Sequence, residues 1–86
     1  MNAHRMMHDQ MRAIIYAAGI TTAQAADMAC VSETALLSAM RGHYPIPSPA
    51  SRLLCTHLLA LGLATDLARP WVPDDLAEVL APTRAA

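Results

Sequence analysis

The sequence predicts an all-α protein, a compact bundle of four to five short helices that contains a helix-turn-helix. Apolar residues recur at the spacing of a helix face in several separate segments of the chain. Glycines and prolines separate most of these segments, and no stretch shows the alternation that is typical of a strand. The chain has 86 residues, of which 55% are hydrophobic. It can therefore bury one modest core.

The first helix is predicted over residues 4–18. Its inner face carries apolar side chains three and four positions apart, namely Met7, Met11, Ile14, Ile15 and Ala18. Gly19 follows at the position where a glycine commonly ends a helix. Methionine fills irregular gaps, so we expect three methionines near the start of this helix to pack in the core or a dimer contact: Met6, Met7 and Met11.

The second helix is predicted from Thr22 to Ala29. Thr21 and Gln24 have the spacing of a capping box, in which each side chain binds a free backbone N–H at the start of a helix. The inner side of this helix carries small residues, so a second helix can approach it closely: Ala25, Ala26 and Ala29.

The third helix is predicted from its N-cap, Ser32, to about Met40, and Arg41 and Gly42 end it. About three residues separate it from the second helix, and helices joined this tightly cross at about 90–120°. Such a crossing requires small or apolar contacts, which are available at Ala25, Ala26, Ala29, Val31, Leu36 and Ala39. The other positions are expected to face outward: Ser32, Glu33, Thr34, Leu37, Ser38 and Arg41.

Residues 43–49 contain three prolines, Pro45, Pro47 and Pro49, and are predicted to form an extended connection. A fourth helix then runs from about Pro49 or Ala50 to Leu61, where Gly62 ends it. Its core side is expected to carry Leu54, Leu58 and Leu61.

The C-terminal quarter is harder to assign. Residues 63–71 give no clear secondary structure, a last short helix begins at 73–75 and reaches Leu80, and 83–86 is expected to fray. We divide the chain into a helix-turn-helix domain over 1–62 and a C-terminal extension over 63–86. The extension is left over once the core is built, so its apolar residues are predicted to form a dimerisation element: Trp71, Val72, Leu76, Val79 and Leu80.

The segment from Ile20 to Ser32, continued by Leu36 and by Arg41-Gly42, resembles the lambda-repressor-like (Cro and repressor type) helix-turn-helix family. The matching features are a polar pair that opens the helix, an alanine at position 26, and an apolar residue before Ser32. The connection into the fourth helix is also similar, so that the resemblance covers about residues 11–62. Cys30 departs from the pattern, since glycine is common at this turn position.

The resemblance implies that the third helix enters the major groove of DNA and that its N-terminal side chains read base edges. It places Thr34, Leu37 and Ser38 at bases, while Glu33 can accept a hydrogen bond from a cytosine amine. Thr22, Gln24, Ser32 and Arg41 are then expected near phosphates.

Each of these residues also has an ordinary structural role. Thr21 and Ser32 serve as helix caps, and Glu33 complements the positive end of the helix dipole. Leu37 packs on the fourth helix or lines a surface for a partner. Arg41 places a positive charge at the C-terminal end of its helix.

Charge leaves two functions open. The chain has six arginines, seven acidic residues and a net charge of −1, whereas DNA-binding domains usually carry a basic face. One hypothesis is a sequence-specific DNA-binding transcriptional regulator, a homodimer on double-stranded DNA with a near-palindromic operator. The alternative is a protein-interaction module with little DNA binding, such as an antirepressor, an inhibitor of a host protein or an antitoxin.

Several other classes are not indicated by the sequence. No apolar run is long enough to span a membrane and no secretory signal is visible, so we expect a cytoplasmic protein. Cys30 and Cys55 are expected to be buried free thiols. His4 and His8 are spaced for a shared metal but lack further ligands. We therefore expect no metal, no cofactor and no enzymatic activity.

Overall fold

The computed structural model describes residues 6–44 and 47–80, and within these ranges it contains helices and no strand. The α-helices are α1 (His8–Ala18), α2 (Thr22–Ala29), α3 (Glu33–Met40), α4 (Ser48–Leu61), α5 (Thr65–Ala68) and α6 (Asp74–Leu80). A short 3₁₀ helix, Arg69–Trp71, lies between α5 and α6. The all-α prediction is confirmed. The described part has one helix more than the predicted maximum, because α5 forms in the segment that the sequence left unassigned.

The start of α1 differs from the prediction. The helix begins at His8, after an extended Met7 whose N–H donates a 2.8 Å hydrogen bond to Oε1 of Gln10. Met6 and Met11 are buried in the core, but Met7 is 57% exposed. Met7 is therefore not a core residue of the protomer, and the alternative that it packs in a dimer contact stays a prediction. His4 and Arg5, the first two residues of the predicted helix, lie outside the described residues.

The start of α2 has the predicted capping box. The N–H of Gln24 donates to Oγ1 of Thr21 at 3.1 Å, and the N–H of Thr21 donates to Oε1 of Gln24 at 2.9 Å. These two bonds satisfy backbone donors that a helix start leaves free. The predicted bounds of this helix, Thr22 and Ala29, are confirmed.

A three-residue turn joins α2 to α3. Cys30 has φ 59° and ψ 41°, which is the left-handed conformation that usually favours glycine. The N–H of Val31 donates to the carbonyl of Ala26 at 3.0 Å and closes the end of α2. The hydroxyl of Ser32 then accepts from the N–H of Ala35 at 3.1 Å, which confirms Ser32 as the N-cap of α3.

The end of α3 is also as predicted. Gly42 has φ 83°, and the N–H of His43 donates to the carbonyl of Ser38 at 3.0 Å. A side chain from α1 also binds this end of α3, since Nη1 of Arg12 donates a hydrogen bond to the carbonyl of Met40 at 2.9 Å. The tight pair of helices, called the α2–α3 unit below (residues 21–42), is therefore fixed at both ends.

The helix α4 is the centre of the fold, in contact with α2, α5, the 3₁₀ helix and α6. Its buried residues cover about half of its circumference: Ala50, Ser51, Leu54, Cys55, Leu58 and Leu59. Leu61, expected on the core side, is instead 59% exposed. A face this wide cannot be covered by one neighbour, so two groups of helices pack on it.

The C-terminal segment is the second group of helices that packs on α4. Ala68, Val72 and Ala77 are buried in the same core cluster as the residues of α1 to α4. Residues 63–80 thus complete the core, which differs from the expectation that this segment is left over once the core is built.

No described helix is long and apolar enough to cross a membrane. The longest, α4, has 14 residues, which correspond to about 21 Å, whereas the apolar part of a bilayer is about 30 Å thick.

The two cysteines differ in their surroundings. Cys55 is fully buried in α4, and burial raises the pKa of its thiol to about 12. Cys30 is exposed, so the expectation of a buried thiol is wrong there. The cause is the turn, which places this residue outside both helices.

Candidate nucleic-acid interface

The α2–α3 unit divides into the inner and outer faces that the sequence predicts. The inner contacts are buried or half-buried: Ala25, Ala26, Ala29, Val31, Leu36 and Ala39. On the outer face Ser32, Glu33, Thr34 and Arg41 are exposed, whereas Leu37 and Ser38 are half-buried. Five of the proposed DNA contacts, Thr34, Leu37, Ser38, Arg41 and Glu33, therefore have side chains at the surface of α3 or its end.

A side-chain hydrogen bond joins the first turns of α2 and α3. Oγ1 of Thr22 donates to Oε2 of Glu33 at 2.6 Å, across eleven positions of the chain. The carboxylate thereby lies near the N-terminal ends of two helices, where the dipoles favour negative charge. Sequence reasoning assigned these two residues separate roles and missed their contact, because nothing local relates positions 22 and 33.

Positive charge gathers at the opposite end of α3. Between Thr21 and Gly42 the chain has one basic residue, Arg41, but α1 brings Arg12 to the carbonyl of Met40. The ring of His8 also lies here, since a methyl group on Gly42 would be 3.4 Å from its Nδ1.

His43 is the residue after Gly42. We call the four basic residues at this end of α3 the basic cluster: His8, Arg12, Arg41 and His43. Asp9 follows His8 in α1 and places one negative charge near it. Sequence reasoning missed the contribution of α1, because Arg12 is 28 positions from Met40.

Gln24 is exposed in the first turn of α2, where its side-chain oxygen accepts from the N–H of Thr21. That bond leaves the amide NH₂ free to donate. Ser32 is exposed, and its hydroxyl oxygen caps α3. Both residues thus combine a capping role with a polar group at the surface.

The predicted dimerisation residues divide into three groups. Val79 is 77% exposed and Leu76 is 38% exposed. Trp71 and Leu80 are half-buried and pack against the core. Val72 is only 5% exposed, so its side chain packs in the core of the protomer, and its predicted role in a dimer stays a prediction.

In the two described ranges, no group of three or more histidine, cysteine, aspartate or glutamate side chains is arranged to hold a metal ion. His4 lies outside those ranges.

Comparisons of this chain with protein-family models, with curated proteins and with solved structures gave no significant match.

Proposed function

We propose that the protein is a small sequence-specific DNA-binding transcriptional regulator that contacts DNA through the outer face of the α2–α3 unit. The observation that carries this proposal is the basic cluster at the end of α3. Because the net charge is −1, binding to phosphates requires the cations to gather on one face. Two of the four described arginines, Arg12 and Arg41, do gather there.

The proposal assigns two kinds of contact to this face. Thr34, Leu37 and Ser38 meet base edges in the major groove, where hydroxyl and methyl groups can both read sequence. Arg41 contacts phosphate, together with three polar residues at the helix starts: Thr22, Gln24 and Ser32.

The Thr22–Glu33 hydrogen bond affects how phosphate contacts are distributed. The carboxylate of Glu33 already complements the dipoles at the helix starts and repels a phosphate there. We therefore assign most of the phosphate affinity to the basic cluster. Glu33 keeps its second oxygen for a cytosine amine, which is its proposed role in base reading.

A homodimer is part of the proposal. One short recognition helix buries little surface, and a second copy supplies the second half-site of a near-palindromic operator, about one helical turn away. The exposed side chains of Leu76 and Val79 support an interface on α6. A regulator of this kind acts in the cytoplasm, where we place the protein.

A second candidate is a protein-interaction module: an antirepressor, an inhibitor of a host protein or an antitoxin. Two observations favour it. Leu37 lies half-exposed on the outer face of α3, where an apolar side chain suits a protein partner. Within the α2–α3 unit the acids Asp27 and Glu33 outnumber the single arginine.

A salt titration separates the two candidates. Fluorescence anisotropy of a labelled random-sequence duplex would be measured between about 50 and 200 mM salt. A regulator that neutralises several phosphates loses affinity steeply over this range, with a slope of about −0.9 per phosphate in a double-logarithmic plot. Absence of detectable binding at about 50 mM salt would contradict the regulator and leave the interaction module.

A further inference from the structure

A groove of about 270 Å³ lies between α1 and the C-terminal segment. Its walls are mostly apolar: Ala13 and Ile14 come from α1, Leu67 from α5, and Pro70 and Trp71 from the 3₁₀ helix. Leu67 is 45% exposed, so this wall contacts solvent. Pockets for small molecules usually measure about 300–1,000 Å³. The groove is therefore suited to one long side chain better than to a drug-sized ligand.

Two polar residues complete the lining, Gln10 and Asp66. Asp66 is the one charged group among the lining residues, and the single ion pair of the described residues is elsewhere, between Arg69 and Glu78 at 3.4 Å. A groove lined by both a carboxylate and an indole suits a cation, because a carboxylate attracts positive charge and a tryptophan ring can bind it as well.

The segment that supplies four of the seven lining residues is acidic as a whole. Residues 63–80 contain four carboxylates and one arginine, a net charge of −3. We infer that this groove is a binding site for an arginine or lysine side chain that a partner protein presents among apolar residues. The aliphatic stem of such a side chain packs on Ala13 and Leu67, which are exposed, while its charged head reaches Asp66.

A second copy of this chain fits the groove less well. Symmetric pairing through it would bring two Asp66 carboxylates and two segments of net charge −3 together, and like charges disfavour association. The lining includes no residue of α2 or α3. The inference therefore goes beyond the proposed DNA contact, and it stands whether or not the protein binds DNA.

The test uses the full chain and a library of random dodecapeptides displayed on phage. Enriched peptides are expected to carry an arginine or lysine with apolar neighbours. Synthetic copies should change the emission of Trp71 saturably, and this residue is the single tryptophan of the chain. Asp66→Asn should weaken binding about fivefold, the size of an exposed ion pair, and Asp66→Arg should abolish it.

Asp74→Asn is the matched control, since it removes a carboxylate of the same segment that does not line the groove. It should leave the affinity within about twofold, and thermal unfolding of each variant should show that it folds. No enrichment, enrichment of acidic or uncharged peptides, or equal affinity for the wild type and Asp66→Arg would overturn the inference. So would a dimer that buries Trp71 and excludes the peptides.

Discussion

The hydroxyl of Thr22 donates a 2.6 Å hydrogen bond to the carboxylate of Glu33 and so connects the starts of α2 and α3. This contact gives a proposed phosphate-binding residue and a proposed base-reading residue a shared structural role. Their effects on stability and on DNA binding can therefore be separated by substitution.

Thr22→Val should lower the free energy of unfolding by about 0.5–1.5 kcal/mol, because it removes the hydroxyl and retains nearly the same shape. Glu33→Gln retains an oxygen that accepts the bond, so its stability should change less. Removing this negative charge should also strengthen binding to random-sequence DNA. Thr34→Val is the matched control for urea unfolding. Equal stability of Thr22→Val and Thr34→Val would show that the hydrogen bond contributes nothing.

Cys30 is held in the left-handed region at φ 59°, which costs a residue with a side chain about 1–2 kcal/mol. Cys30→Gly should relieve this strain. Glycine also raises the entropy of the unfolded state, which partly offsets the gain, so the free energy of unfolding should rise by about 0.5–1 kcal/mol. Cys30→Ala retains the strain and serves as the control. Thermal unfolding would measure both variants. A glycine variant no more stable than the alanine variant would contradict the account of the turn.

The thiols should react very differently with a thiol reagent at pH 8. Cys30 is exposed and should react in the folded protein, whereas Cys55 should react only after unfolding. Burial raises the pKa of Cys55 to about 12, above the ordinary value of about 8.5. Between these values the unfolded thiol loses its proton while the folded one keeps it, so stability should fall as the pH rises. Rapid reaction of both thiols in the folded protein at pH 8 would contradict the burial of Cys55.

The homodimer proposal can be tested on α6. Sedimentation at micromolar concentration should give a dimer mass for the wild type. Val79→Asp should give a folded monomer, since Val79 is 77% exposed and its replacement removes no contact from the core. Val72→Ala is the contrasting variant, because it should destabilise the fold by about 1–2.5 kcal/mol through lost burial. A wild-type monomer at this concentration would exclude the proposed dimer.

The parts of the fold that the sequence predicts well are those with local causes. The capping box of Thr21 and Gln24 and the glycines at 19, 42 and 62 depend on residues within one helical turn of each other. The predicted inner face of the α2–α3 unit also agrees, since helical spacing fixes which alanines point the same way.

The missed features depend on contacts between distant parts of the chain. The spacing of apolar residues along α4 does not show that its buried face is wide enough to contact both α2 and the C-terminal helices. For this reason the sequence predicts Val72 on a surface and Leu61 in the core, whereas the structure has the reverse. The contribution of α1 to the basic cluster was missed for the same reason, because Arg12 joins it only when α1 packs against the end of α3. The Thr22–Glu33 bond likewise requires the turn at Cys30 to bring two helix starts together.

If the basic cluster binds the phosphates of DNA, two arginine variants should change the salt dependence of binding. Arg41→Ala should weaken binding to all duplex sequences alike and reduce the magnitude of the salt slope by about 0.9, and Arg12→Ala should do the same. Arg69→Ala is the control, since it removes a charge that is paired with Glu78. Unchanged slopes in both cluster variants would contradict the claim, as would a loss for Arg41→Ala confined to one operator position.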